Sequence, residues 1–176
     1  RAMSNNSVVT SNTDALPNAF WDGYRGNGEP YGLFNLEAAR KLGRSHEFRL
    51  DKTIEGTNPC AEIGLANRES CNLADIFLPN IESQDELIDL AKLLYKIQKA
   101  VAALPYLDRE SDEITNKNMR LGLGVSGIAQ AQEKLDWLSP TYEMLRDFDQ
   151  YWSTYKEWPP SVRLTTVKPS GTLSLL

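Results

Sequence analysis

The sequence predicts an α/β fold, and three features carry that prediction. One helix announces itself at Ser83 with a capping pattern and five turns of apolar stripe. A second runs from Ser139 to about residue 155. A β-branched run, Val162-Arg163-Leu164-Thr165-Thr166-Val167, has the composition of a strand. Helices interleaved with strands of this kind point to α/β layering.

The elements follow in chain order. Residues 1–32 are rich in Asn, Ser, Gly and Pro and predict extended chain and loop. Asn35 stands before Leu36-Glu37-Ala38-Ala39-Arg40-Lys41-Leu42, and Gly43 follows. That is a short helix with a cap residue at its start and glycine past its end. Residues 44–57 are polar and end in Gly56-Thr57. At Ser83-Gln84-Asp85-Glu86 the Ser hydroxyl and Glu carboxylate can each satisfy an open amide of a first helical turn. Leu87, Leu90, Leu94, Ile97, Val101 and Leu104 then recur at three- and four-residue steps, predicting one buried face, and Pro105 stops the helix. Met119 to Ile128 holds Gly122, Gly124 and Gly127 and is open between strand, turn and close-packed helix. Ser139 and Pro140 suit the cap and first helical position of the next helix, with Leu145, Phe148, Trp152 and Tyr155 on one face and Pro159-Pro160 after it. Lys168-Pro169-Ser170-Gly171-Thr172 reads as a turn after the last strand.

Composition narrows the functional classes. The 176 residues form one region, 1–176, large enough for one core and short for two. Lys and Arg total 19 against 24 Asp and Glu, a net charge of −5, which argues against gripping a DNA or RNA polymer through its phosphates. No apolar run approaches the roughly 18 residues of a membrane span, so no membrane association is expected. Two cysteines and one histidine, His46, build neither a disulfide scaffold nor a zinc site, so no metal is expected and the reducing cytoplasm is the expected compartment. A start at Arg1 and a stop at Leu176, just after a strand and turn, suggest a piece of a larger protein.

Chemistry concentrates in Asn58-Pro59-Cys60-Ala61-Glu62-Ile63. In an extended segment residues 58, 60 and 62 point to one side, so an amide, a thiol and a carboxylate face one volume. Asn can hold a hydroxyl, Glu can take its proton, and Cys alone can supply a thiolate or sulfur radical, a trio suited to a polyhydroxylated substrate. The plainer alternative is a surface loop that happens to carry a cysteine. Cys71, eleven residues on, fits a redox pair, a structural pair or inert burial. The small-residue turn at 169–172 would bind an anion if a helix followed it, and is otherwise an ordinary Pro-Ser-Gly turn.

Taken together, these strings resemble the catalytic domain of ribonucleotide reductases, in particular the monomeric, adenosylcobalamin-dependent, ribonucleoside-triphosphate type. The carrying residues are Arg1 to Ser7, Asn58 to Ile63, Cys71-Asn72-Leu73, Asn118 to Gly127 and Thr165 to Leu176, in family order across nearly the whole chain. The resemblance implies part of a ten-stranded α/β barrel with the radical cysteine on an inner loop. It implies that Cys60 is the thiyl radical that abstracts the ribose 3′ hydrogen, Glu62 the base on the 3′ hydroxyl, and Asn58 the residue that holds the ribose hydroxyls. Cys71 would be one of two reducing thiols that end as a disulfide, its partner lying upstream of Arg1. Pro169, Ser170, Gly171 and Thr172 would bind substrate phosphates. The implied cofactor is adenosylcobalamin, held outside this chain. The implied partners are a ribonucleoside triphosphate, a deoxynucleotide effector bound outside this chain, and thioredoxin. The full-length enzyme would be a monomer making deoxynucleotides for DNA replication, and the isolated chain would be inactive. The alternative is a non-enzymatic helical interaction module built on the amphipathic stripes at 84–104 and 140–155.

Overall fold

The computed structural model describes residues 6–27, 31–42 and 51–168. The chain divides into two compact units, Arg1–Arg68 and Glu69–Leu176.

In the first unit, β1 (Asn6–Thr10) pairs in parallel with β2 (Tyr31–Asn35), with Val8 opposite Leu33. Parallel strands need a crossover, and α1 (Asn18–Asn27) supplies it. This corrects the extended-chain expectation for residues 1–32. The helix is marked by aromatics rather than aliphatic periodicity: Phe20 stacks on Tyr24 at 5.9 Å and meets Trp21 edge-on at 5.1 Å. The short helix α2 (Leu36–Lys41) forms as expected, because Asn35 accepts a hydrogen bond from the Ala38 amide. Arg40 Nε donates to the Ile54 carbonyl at 2.7 Å. A small antiparallel hairpin follows, β3 (Gly56–Thr57) against β4 (Gly64–Leu65).

In the second unit, β5 (Leu73–Phe77) and β6 (Gly122–Ser126) are parallel, with Asp75 opposite Gly124. The run expected as a strand over 162–167 is reduced to one isolated parallel bridge, Leu123 to Thr165, with further backbone hydrogen bonds laying residues 163–166 along the other edge of β6. The glycine-rich stretch is therefore a strand, and bare Gly124 suits its place. A Cβ there would stand 2.9 Å from Asp75 Oδ1 and 3.3 Å from the Thr166 carbonyl. The crossover from β5 to β6 runs through α3 (Gln84–Ala102) and α4 (Arg109–Asn118), and that from β6 to 162–166 runs through α5 (Leu138–Lys156). One sheet face is apolar and packs on helices: Ile76, Leu121, Leu123 and Leu164 join Leu87, Ala91, Tyr95, Ala102 and Leu145 in one core. By strand alternation Asp75, Gly122, Gly124 and Ser126 lie on the other face, where Ser126 Oγ donates to Asp75 Oδ2.

The helices differ from expectation in several details. The capping residue of α3 is Ser83, whose Oγ accepts from the Glu86 amide at 3.2 Å, while Glu86 reaches back to the Glu82 amide rather than that of Ser83. Its buried face is Leu87, Ala91, Tyr95, Gln98, Lys99 and Ala102, whereas Ile97, Val101 and Leu104 are exposed. Leu87 lies in the core and Leu90 and Leu94 pack against it as expected, but past them the stripe turns outward and Lys99 faces inward, held by Asp149 on α5 and by Pro159 and Ser161. The helix α5 starts one residue before Ser139, without a side-chain cap, out of a 3₁₀ segment at Gln132–Trp137. Its Tyr155 lies outside the core, exposed against the rings of Tyr151 and Trp152. The polar helix α4 has no counterpart in the sequence expectation. It is held by Asp108, which accepts from the Ser111 amide at 2.9 Å, and ends at Met119 in the left-handed region.

The expected barrel is represented by partial sheets, and no closed barrel forms among the described residues. Among them no helix is long and apolar enough to cross a membrane.

Candidate active site

Residues 58–63 form the tip of the β3–β4 hairpin and are not a strand. This corrects the alternation argument: Asn58, Cys60 and Glu62 share one tight loop and not one side of a strand. The loop is pinned from inside. Asn58 N donates to the Ile63 carbonyl at 3.2 Å, and Ala61 N donates to the Asn58 carbonyl at 3.0 Å. The Asn58 side-chain oxygen accepts from the Ile63 amide at 3.3 Å, and Thr57 Oγ1 donates to the Ile63 carbonyl at 2.9 Å. Ala61 takes φ +63°, a left-handed turn that reverses the chain between the thiol and the carboxylate. Asn58 and Ile63 are buried, Glu62 is half-buried and Cys60 is exposed. The loop thus presents a sulfur outward from a base fixed by its own backbone. Burying Ile63 anchors one end, and Gly64 admits Ile54, whose Cδ1 lies 2.9 Å from where a Cβ would stand.

Cys71 lies in the second unit, in the irregular chain leading into β5, and is also an exposed thiol. Its neighbours are held firmly. Arg120 Nε is 3.0 Å from Glu69 Oε2, with both side chains fully buried, and Asn118 Nδ2 donates to Glu69 Oε1 at 2.9 Å. On the other side Asn72 Nδ2 donates to the Gln98 carbonyl at 2.7 Å, and Gln98 Nε2 donates to the Asn72 carbonyl at 3.0 Å. Sequence reasoning passed over Glu69, Gln98 and Arg120. Each looks like a solvated polar residue until the fold turns it inward, and no local spacing marks them.

Pro169, Ser170, Gly171 and Thr172 lie outside the described residues, as do His46 and Arg1 to Asn5. Upstream of them, Thr165 pairs with Leu123 and Lys168 is half-buried. Among the described residues no three His, Cys, Asp or Glu side chains converge as a metal site would require.

Comparison with known proteins bears on this geometry. The family model described as the ribonucleotide reductase barrel domain matches residues 2–166. An adenosylcobalamin-dependent ribonucleoside-triphosphate reductase of Lactobacillus gasseri is 32% identical over 217 aligned positions, covering 100% of this chain and 28% of that protein. The protein of the same name from Euglena gracilis is 37% identical over 163 positions, covering 86% of this chain and 22% of its own length. The crystal structure of a B12-dependent (class II) ribonucleotide reductase superposes with a TM-score of 0.79 at 30% identity, over 97% of this chain and 28% of that one. The chain therefore spans about a quarter of the length of the relatives it matches.

Proposed function

The chain belongs to the ribonucleotide reductase barrel-domain family, and from that premise we propose that the protein carrying it reduces ribonucleoside triphosphates to 2′-deoxyribonucleoside triphosphates by a thiyl-radical route. One observation supports this reading above the others: an amide, a thiol and a carboxylate sit on one six-residue loop pinned by its own backbone.

Each residue has a stated task. The Cys60 sulfur, once a radical, takes the 3′ hydrogen atom of the ribose and returns it to the same carbon after C2′ is reduced, which restores the sulfur radical. Glu62 accepts the proton of the 3′ hydroxyl. The oxygen of the Asn58 amide is engaged by Ile63, so Asn58 addresses a ribose hydroxyl as donor through Nδ2. Cys71 and a second thiol of the polypeptide, outside this chain, supply two electrons. The C2′–OH bond is broken, the oxygen leaves as water, a C2′–H bond forms and the two sulfurs join as a disulfide. Thioredoxin then returns the pair to thiols by exchange. Pro169, Ser170, Gly171 and Thr172 hold the substrate phosphates through backbone amides and hydroxyls. Correct placement of a sugar against such groups is worth up to about 7–11 kcal/mol of barrier.

Adenosylcobalamin would meet this chain at the exposed Cys60 thiol, and when bound it would supply the radical chemistry that activates that sulfur. A sulfur radical must be shielded from water and side reactions. Cys60 is exposed here, so the remaining length typical of the relatives is proposed to enclose it. The effector deoxynucleotide binds there too, the full enzyme acts as a monomer in the cytoplasm, and the 176 residues alone do not turn over.

The reading is tested by Cys60→Ser in the full-length protein. Turnover and exchange of the 3′ hydrogen are lost while nucleotide binding persists; retained turnover removes Cys60 from the radical role. A second reading, a helical interaction module, has one observation in its favour, the exposed Leu93, Ile97 and Val101 along α3, with exposed Leu104 just past its end. It predicts specific binding of a separate protein and no dependence of any activity on Cys60.

A further inference from the structure

We infer that Glu69, Arg120 and Gln98 are positioning residues for the Cys71 thiol, an inference that rests on the proposed role of Cys71 as a reductant. The chain from 69 to 72 belongs to no helix or strand, so nothing regular fixes where its cysteine stands. Buried side chains do so instead, on both sides of one exposed sulfur. On the upstream side, Glu69 carries an ion pair to Arg120 at 3.0 Å and a hydrogen bond from Asn118 at 2.9 Å. The Ser70 amide points to Thr115 Oγ1 at 3.4 Å. On the downstream side, Gln98 closes a reciprocal pair with Asn72, and the Gly122 amide donates to the Asn72 carbonyl at 2.9 Å.

These partners come from three elements: Gln98 from α3, Thr115 and Asn118 from α4, and Arg120 and Gly122 from the entry to β6. Glu69 and Arg120 are sealed from solvent, and Gln98 and Thr115 are 3% and 2% exposed. A buried ion pair is costly to assemble and contributes little net stability compared with apolar packing. What it does supply is a fixed geometry, because a buried charge has no alternative partner. Placing such a pair two residues from a thiol holds the sulfur to one location while leaving it accessible. Two-thiol reduction requires that, since one sulfur must meet both a carbon centre and a second sulfur.

The test uses the full-length protein, fully reduced, in a single turnover without external dithiol. Three quantities are followed: exchange of the substrate 3′ hydrogen, deoxynucleotide formed, and the alkylation rate of Cys71 with iodoacetamide, with the other alkylated cysteines of the same digest as internal controls. In Gln98→Met and Arg120→Met the rate of deoxynucleotide formation falls roughly 10- to 100-fold, the penalty of displacing a reacting group by about an ångström. Hydrogen exchange stays within twofold of wild type, and only Cys71 changes its alkylation rate. Arg120→Lys, which keeps the buried cation, recovers part of the loss. Gln98→Met alters one neutral hydrogen bond and keeps the ion pair, so the result does not depend on Arg120→Met folding. Exchange and reduction falling in equal proportion, or neither changing, overturns the inference. Failure of the underlying reading shows differently: Cys71→Ser that still yields one deoxynucleotide per reduced enzyme removes Cys71 from the reaction altogether.

Discussion

Lys99 Nζ lies 2.9 Å from Asp149 Oδ1, and both side chains are cut off from solvent. The pair ties α3 to α5 and is completed on every side. Lys99 also donates to the Pro159 carbonyl and Ser161 Oγ, each at 2.8 Å, while Asp149 accepts from Tyr95 Oη at 2.7 Å and from the Ser161 amide at 2.9 Å. Removing one member leaves the other as a buried charge without its counter-charge. Lys99→Met is therefore expected to destabilise the chain by about 3–5 kcal/mol, whereas Lys99→Met combined with Asp149→Leu recovers most of that loss. Urea unfolding of the two variants checks it, and a double variant no better than the single one contradicts it.

Tyr95 in the same network gives an alkaline signature. Burial pushes its hydroxyl well above the usual tyrosine value of 10.0, and the nearby Asp149 charge and its hydrogen bond push the same way. The folded state thus keeps the proton, while the unfolded chain releases it above pH 10. A raised folded value means that the stability is fully present below pH 10 and is lost as pH climbs beyond it. Unfolding free energy measured from pH 8 to 11 should fall at the alkaline end. Tyr95→Phe should flatten that fall and lower stability at neutral pH by about 1.5–3 kcal/mol, the worth of a hydrogen bond to a charged acceptor.

Gly127 follows β6 with φ +76°, and a Cβ on it would stand 2.5 Å from the Pro79 ring carbons. Both the backbone angle and the ring exclude a side chain. Gly127→Ala is expected to cost about 1–3 kcal/mol. A thermal melt tests it, and an unchanged midpoint would show that the short 3₁₀ turns Leu78–Asn80 and Ile128–Gln130, which meet there, can separate freely.

Local signals were legible and long-range ones were not. Ser83 and Asn35 cap helices through atoms three residues away, so reading them needs no fold. The inward face of α3 depends on Asp149, fifty residues distant, and apolar spacing favoured Ile97 and Val101 over Tyr95 and Lys99. The helix α4 is polar along most of its length and gave no stripe to read, although Asp108 with Ser111 is a cap that could have marked it. At the site, the residue types of 58–62 were legible and their conformation was not. A strand was the simplest way to aim three side chains together, but the Ile63 and Ala61 amides bend the segment into a hairpin tip instead.

Glu62 is expected to act by proton transfer at the 3′ hydroxyl. In the full-length protein, Glu62→Gln keeps the size of the side chain and a hydrogen-bonding group but cannot accept a proton as a base. Turnover should drop roughly 10²–10⁴-fold, the usual contribution of a general base. Substrate affinity, measured by equilibrium binding, should change little. A variant with near-normal turnover would assign the proton to another group.

Asn58 separates loop folding from sugar binding, because its two amide atoms have different work. The oxygen accepts from the Ile63 amide at 3.3 Å and so helps shape the loop. The nitrogen is the donor proposed to meet the ribose. Asn58→Asp preserves an acceptor for Ile63 and removes the donor, so the hairpin should persist, as judged by an unchanged thermal midpoint. Turnover in the full-length protein should still fall roughly 10- to 100-fold, the cost of losing a hydrogen bond of about 1.5–3 kcal/mol at the reacting sugar. Asn58→Ala loses both atoms and should lower the melting temperature as well. If the two variants lose activity and stability in the same proportion, Asn58 serves the loop alone. If Asn58→Asp keeps full turnover, the ribose hydroxyls are held by another residue.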